Sequence, residues 1–188
     1  MRKYYSLIDK VYSHKNLQQA YRSVRKNNGK PGIDGMTVFD FGENLEERLQ
    51  VLHHELKNGT YEPDPVLRVE VDKESGGKRP LGIPTVRDRV AQQALLNVLQ
   101  PIFDPDFHPS SYGYRPGRSC QQAVAKAERF MNRYGLKHVI DMDLSKCFDR
   151  LGHELILKSV NRKVSDGKVL ELIRKFLTAG VMIDGAFE

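Results

Sequence analysis

The stretch Asp141-Met142-Asp143-Leu144-Ser145-Lys146-Cys147-Phe148-Asp149 concentrates three carboxylates and an aromatic ring within nine residues. It follows His138-Val139-Ile140, which reads as a short buried strand. In a strand, Asp141 and Asp143 point to one face and Met142 to the other. A carboxylate presented at the end of such a strand can hold Mg2+ through hard oxygen ligands. An aspartate in that place more often caps the helix that follows, so the pattern by itself does not establish a metal site.

Cationic chemistry is the second signal. Lys73 and Arg79 flank the tight turn Glu74-Ser75-Gly76-Gly77 on opposite arms of an expected hairpin, Val66–Val71 and Lys78–Ile83. Their heads could converge on one triphosphate, with arginine supplying bidentate contacts and lysine a point charge. Lys78, the next residue, should face the other side of its strand and be solvated. Tyr112-Gly113-Tyr114-Arg115-Pro116-Gly117-Arg118 interleaves aromatics with cations, a mixture suited to stacking on bases and pairing with phosphates. The alternative is that these tyrosines pack internally while Arg115 is held within the chain. Lys15, Arg22, Arg25 and Lys26 lie along the polar faces of the first helices, and Lys30 follows in a loop with three glycines and a proline between Asn27 and Gly35. These cations are either a solvated face or a phosphate-binding one.

The elements that would position these groups can be read from periodicity. Leu7, Val11, Leu17, Ala20, Tyr21 and Val24 predict two short helices broken near Ser13-His14, and Leu45, Leu49, Leu52 and Leu56 predict a helix over Asp40–Leu56. Adjacent His53 and His54 cannot face the same way on it and read as surface or interface residues. A long helix is predicted from Thr85, its cap, to Pro101. Arg87 and Arg89 stand in its first turn, where the helix dipole disfavours cations, which implies a use other than helix stability. A helix from Ser119 to Tyr134 precedes a predicted strand over Leu136–Leu144; helices over His153–Val160 and Ser165–Ala179 and a strand at Val181-Met182-Ile183 follow.

Composition sets wide bounds. The 188 residues suffice for one sizeable core, and 39% apolar and 29% charged residues fit a soluble domain. Thirty Lys and Arg against 24 Asp and Glu leave +6, which favours a polyanionic partner without identifying one. Cys120 and Cys147 form no metal-binding pair and are expected as buried free thiols in a reducing compartment. No apolar run reaches the roughly 18 residues of a membrane span and no signal peptide is legible, so a cytoplasmic protein with no membrane association is expected.

Three blocks carry a resemblance. Asn27-Asn28-Gly29-Lys30-Pro31-Gly32-Ile33-Asp34-Gly35-Met36-Thr37, Gly77-Lys78-Arg79-Pro80-Leu81-Gly82-Ile83-Pro84-Thr85-Val86-Arg87-Asp88-Arg89 and Ser110-Ser111-Tyr112-Gly113-Tyr114-Arg115-Pro116-Gly117-Arg118-Ser119 stand in the order and spacing of bacterial group II intron reverse transcriptases. The chain resembles the front half of such a protein. This implies an α+β fold, the fingers and partial palm of a right-hand polymerase, helix-rich with short antiparallel strands. The implied division is an N-terminal extension over residues 1–60, fingers over 61–135 and the start of the palm over 136–188.

The resemblance also implies function: RNA-directed DNA polymerase activity in intron mobility, with a maturase role in splicing. On that pattern Asp143 is the first catalytic aspartate and the carbonyl of Leu144 a metal ligand beside it, with two Mg2+ ions in the full-length enzyme. Phe148 is an aromatic gate under the sugar of the incoming nucleotide. Lys73 and Arg79 bind the dNTP triphosphate, while Lys26, Lys30, Arg115 and Arg118 contact nucleic acid. Partners are an RNA template, a DNA primer and intron RNA. Asp149 is expected to cap the following segment. The sequence departs from the pattern in lacking the Tyr-x-Asp-Asp block, with no Asp-Asp pair anywhere, and the Pro-Gln-Gly block before it. It is therefore expected to be part of a longer enzyme and catalytically incomplete alone. Alternatives are a non-enzymatic RNA-binding module, or a diversity-generating, CRISPR-linked or abortive-infection reverse transcriptase.

Overall fold

Helical stripes organise most of the chain. A computed structural model describes residues 3–72, 76–145, 147–183 and 186–187. They fall into two units, one formed by the chain through Leu99 and again from Gly152, the other by Gln100–Leu151.

In the first unit, α1 (Ile8–Val11) and α2 (His14–Asn27) are separated at Ser13, as their periodicity predicts. Leu17, Ala20, Tyr21 and Val24 form one buried stripe of α2. The next periodic stretch is two helices rather than one: α3 (Val38–Glu43) and α4 (Leu45–Asn58). The physical reason is local. A Thr37–Asp40 capping box starts α3 early, with Thr37 N–H donating to Asp40 at 2.9 Å, and Gly42 and Asn44 are poor residues for continuing a helix. Gly42 also lets α3 approach Tyr21, whose hydroxyl donates to the Val38 carbonyl at 3.1 Å. Leu49, Leu52 and Leu56 of α4 are buried, and α4 packs against α1 and α2. Each such leucine contributes about 1.5–3 kcal/mol relative to exposure.

The hairpin forms as expected from β1 (Val66–Asp72) and β2 (Lys78–Ile83), antiparallel with Val71 opposite Arg79. It leads into α5 (Val86–Phe103), which buries Val86, Val90, Ala91, Ala94 and Leu95. The predicted stop at Pro101 is not where α5 ends. A proline in the last turn removes a single backbone donor, and the helix passes it to Phe103 before a 3-10 turn over Asp104–Asp106.

α6 (Cys120–Tyr134) and α7 (Cys147–Arg150) belong to the second unit, and α8 (His153–Asn161) and α9 (Gly167–Leu177) to the first. β3 (Val181–Ile183) follows α9 and pairs in parallel with β1, and β4 (Ala186–Phe187) pairs antiparallel with β3. The sheet, ordered β2-β1-β3-β4, is thus mixed: beside the expected antiparallel pairs, β1 and β3 run parallel. A helical connection returns the chain in the direction it left, which a tight turn cannot do.

Asp166 fastens the two ends of the first unit. It is 5% exposed, and its carboxylate accepts from Lys168 N–H at 3.0 Å and Val169 N–H at 3.2 Å, capping α9. Its other oxygen accepts from Leu7 N–H at 2.6 Å and Ile8 N–H at 2.9 Å. Burial alone would raise its pKa, but these four backbone donors outweigh burial and hold the carboxyl below the ordinary value of 3.8. An aspartate so lowered contributes stability that is present above its unfolded pKa and lost as pH falls through the folded one. Asp166→Asn should therefore lower stability by about 2 kcal/mol at pH 7, because the amide turns a donor toward two N–H groups. In urea melts across pH, the deficit should shrink on acidification below the unfolded value. A deficit that stays constant down to pH about 2 would place the effect elsewhere.

The second unit has a different character. Ser119 and Gln122 form a capping box that starts α6, yet no described residue from Gln100 to Leu151 is buried. Cys120 is accordingly exposed and Cys147 half-buried, both free, against the expectation of buried thiols. The expected buried strand over Leu136–Leu144 is likewise not one: it carries no ladder, and Val139, Ile140 and Met142 are 80%, 83% and 86% exposed. Apolar residues on both faces are the pattern of a strand covered on two sides. No described residue pairs with this one, so its β-propensity is unrealised.

Candidate active site

Asp143 lies in this exposed irregular segment, followed by a turn at Ser145 and by α7. Leu144 and Phe148 are 75% and 87% exposed. The segment thus presents a carboxylate, a backbone carbonyl and a flat ring to solvent within six residues. Asp141 is also exposed. The side chain of Asp149 lies outside the described residues, and with it the expected cap. Among the described residues no three His, Cys, Asp or Glu side chains gather in a way that could hold a metal. Mg2+ is commonly held by one or two carboxylates together with substrate phosphates and water. Asp143 and the Leu144 carbonyl have the hard oxygen chemistry for one such share of ligands.

Arg79 stands on β2 in the first unit, exposed and without an ion pair among the described residues. Lys73, its proposed companion, lies outside them. Lys78 was expected to be solvated on the opposite face; it is 64% exposed and pairs with Glu70 at 2.8 Å. That pairing raises the Lys78 pKa and lowers that of Glu70, and solvent screening leaves it little energetic weight.

At the foot of the hairpin sits a buried polar cluster that no sequence motif announced. Asp88 is 1% exposed. It accepts from the Tyr61 hydroxyl at 2.5 Å, the Thr85 hydroxyl at 2.8 Å and Asp64 N–H at 3.0 Å. Asp64 precedes β1 and Thr85 follows β2, so one carboxylate clamps both legs of the hairpin to α5. Desolvation pushes the Asp88 pKa up despite these bonds, and burial followed by the charge of Asp88 pushes the Tyr61 phenol up. Thr85 caps α5 as predicted, accepting from Asp88 N–H at 3.2 Å. The signal that could have found the cluster is the spacing Thr85-x-x-Asp88, a capping pattern with an aspartate in third place.

The arginines of the same turn are used internally. Arg87 donates to Glu55 at 2.7 Å and to the Glu62 carbonyl at 3.0 Å while lying 4.6 Å from the Tyr61 ring centroid. Arg89 donates to the Lys30 carbonyl at 2.9 Å. The Gly-rich loop is therefore docked on the chain itself, and Gly32 is required there: a Cβ would come within 2.7 Å of the Thr85 backbone nitrogen. Lys30 and Lys26 point outward as exposed cations beside the exposed Arg22 and Arg25 of α2.

In the second unit Arg115 takes the internal alternative. Its side chain is 8% exposed. It grips Asp104 through Nε at 2.8 Å and Nη2 at 3.2 Å, and donates further to the carbonyls of Asp104, His108 and Ser111. Its hydrogen-bonding capacity is committed to the chain, and the pairing lowers the Asp104 pKa. Arg118 is exposed, 5.6 Å from the Tyr112 ring centroid. Tyr114 is fully exposed with φ 54°.

Comparison with known proteins places this geometry in context. The family described as reverse transcriptase (RNA-dependent DNA polymerase) matches residues 71–187. Protein YkfC of Escherichia coli is 39% identical over 176 residues, covering 91% of this chain and 46% of its own length. The group II intron-encoded protein LtrA of Lactococcus lactis is 37% identical over 166 residues, covering 87% of this chain and 27% of its own length. The chain thus spans less than half of either relative. A solved Cas6-RT-Cas1–Cas2 complex shares the fold with a TM-score of 0.59 at 23% identity, over 97% of this chain and 18% of that one. Among the described residues no helix is long and apolar enough to cross a membrane.

Proposed function

Because the chain belongs to the reverse transcriptase family, we propose that it supplies the N-terminal extension, fingers and first catalytic carboxylate of a cytoplasmic group II intron-type RNA-directed DNA polymerase with a maturase role. The observation that carries this reading is the exposure of Asp143 and Leu144 just before α7 and of Phe148 in its first turn, inside the matched region. The extension corresponds to residues 1–60, the fingers to 61–135 and the start of the palm to 136–188. Partners are an RNA template, a DNA primer, dNTP and intron RNA.

Each residue has a distinct task. Asp143 and the Leu144 carbonyl would hold Mg2+, which when bound lowers the pKa of an attacking hydroxyl and neutralises charge on a leaving pyrophosphate. Arg79, without an ion pair among the described residues, offers a bidentate contact to the triphosphate, with Lys73 as a point charge beside it. The Phe148 ring beneath the sugar excludes a 2'-hydroxyl by contact. Lys26 and Lys30 with Arg118 present cations to nucleic-acid phosphates. Arg115 supports Arg118 indirectly, by bracing the loop that carries it.

Two measurements test the reading. The 188-residue polypeptide should extend no primer in Mg2+, since the chemistry needs carboxylates it does not contain, whereas a fusion at Glu188 to a second carboxylate block from a relative should. Its RNA binding should weaken steeply with salt, with a log-log slope of about −0.7 for each phosphate neutralised. Primer extension by the chain alone would refute the proposed division of the active site. Binding that ignores salt would make the exposed cations an ordinary solvated face.

A further inference from the structure

From α6 and the loop before it, we infer a groove that takes a single-stranded segment of nucleic acid, stacking unpaired bases on Phe130 and Tyr134 and pairing phosphates with Arg118, Lys126 and Arg129. The inference rests on the proposed function in one respect, that the chain works on nucleic acid. Its location and mode are carried by the groove itself.

The groove encloses about 670 Å³ within the second unit, between Pro109–Arg118 and one face of α6. Lys126 and Arg129 are neighbours on that face at a spacing of three residues, with Gln122 a turn earlier, and Glu128 projects to the opposite side. None of the lining residues is acidic. The charge of Arg118 acts on Asp104, which Arg115 already holds. Lys126 is pinned by a 2.7 Å bond to the Ser110 hydroxyl and Arg118 by a 3.4 Å contact to the Pro109 carbonyl; neither bond neutralises charge. Arg129 has no ion pair among the described residues. Three cations thus share one concave surface with no ion pair of their own among the described residues, which is the complement of a polyanion.

The aromatic wall decides which polyanion. Phe130 and Tyr134 are 41% and 59% exposed, with centroids 5.9 Å apart and planes tilted by 49°. Lys126 sits 5.8 Å from the Phe130 centroid, and Arg118 lies against Tyr112 on the far wall. Exposed rings bordered by cations stabilise unpaired bases, whose faces are open; in a duplex those faces are covered by neighbouring pairs, leaving only phosphates to bind. An acidic peptide would use the cations and leave the rings idle.

The test uses the 188-residue chain with fluorescently labelled single-stranded RNA of about 20 nucleotides, a blunt duplex of the same length, and polyglutamate as competitor, read by anisotropy across salt. The double variant Lys126→Ala/Arg129→Ala should weaken single-strand binding at least tenfold and flatten the log-log salt slope by about 1.4, the share of two phosphates. Tyr134→Ala should weaken single-strand binding by about fivefold to a hundredfold while leaving the slope and the duplex affinity unchanged. Unchanged single-strand affinity in both variants, with binding otherwise intact, would overturn the groove and leave the proposed function standing. Absence of RNA binding by the unaltered chain even at low salt would overturn both. Equal losses for single strand and duplex in Tyr134→Ala, accompanied by a lower melting temperature, would make the ring a structural wall, and displacement by polyglutamate as readily as by RNA would assign the groove to acidic protein.

Discussion

Asp143→Ala, placed in a polypeptide that joins this chain to a second carboxylate block, should abolish nucleotide incorporation at every nucleotide concentration while template binding persists. The carboxylate stands on an exposed segment with no hydrogen bond to the rest of the described chain, so its removal has no fold to damage. Its loss takes away charge and a hard oxygen where the reacting groups would meet. Arg79→Ala should behave differently. It removes charge-assisted contacts to the triphosphate, about 1.5–3 kcal/mol, so apparent nucleotide affinity should fall about tenfold to a hundredfold with turnover retained at saturation. Phe148→Ala should instead relax discrimination against ribonucleotides. Single-turnover incorporation with dNTP and rNTP over a concentration series separates the three. Uniform losses with melting temperatures lowered in parallel would make all three residues structural and remove the site.

The largest loss of stability should follow Asp88→Ala. Two buried hydroxyls and one part-buried backbone N–H would lose their acceptor, and Arg87 would lose a carboxylate 3.6 Å away. At about 1–3 kcal/mol for each stranded buried donor, a total of about 3 kcal/mol or more is expected after relaxation. Asp88→Asn should recover little, because its amide directs a second donor into a cluster of donors. The measurement is urea unfolding at constant pH; a loss under about 1 kcal/mol for both variants would mean the hairpin legs are held by other contacts. Acid does not mimic this variant. A raised carboxyl pKa contributes stability below the unfolded value that is lost as pH rises through the folded one, opposite in sense to Asp166, so of these two carboxylates Asp166 is the acid-labile one.

Local rules explain why much of the fold was legible. The stripes of α2 and α4, the Thr85 and Ser119 caps and the Gly76-Gly77 turn are set by residues three or four apart, within reach of one another in the chain. The same rules failed where two local preferences competed. Asn44 lies between a capping box and a leucine stripe, and the box began its own helix; Pro101 weakens a helix only two residues from where it stops. Site residues were named from a resemblance of motifs, which supplies identity and order but no distances. Arg115 illustrates the limit: an arginine among tyrosines suits phosphate or carboxylate equally, and the choice was made by Asp104, eleven residues away.

By itself, the sequence determined most of the helical segments, the two arms of the hairpin, the basic balance and the membership of a polymerase family, because each depends on residue types at short spacing. Only the tertiary structure decided that β3 joins β1 in parallel, that Asp88 clamps both hairpin legs, and that Arg87 and Arg89 serve the chain rather than a ligand. It alone showed residues 136–144 exposed and without a ladder. A strand is a relation between two segments, and its hydrogen bonds are made by neighbours that its own residues do not specify.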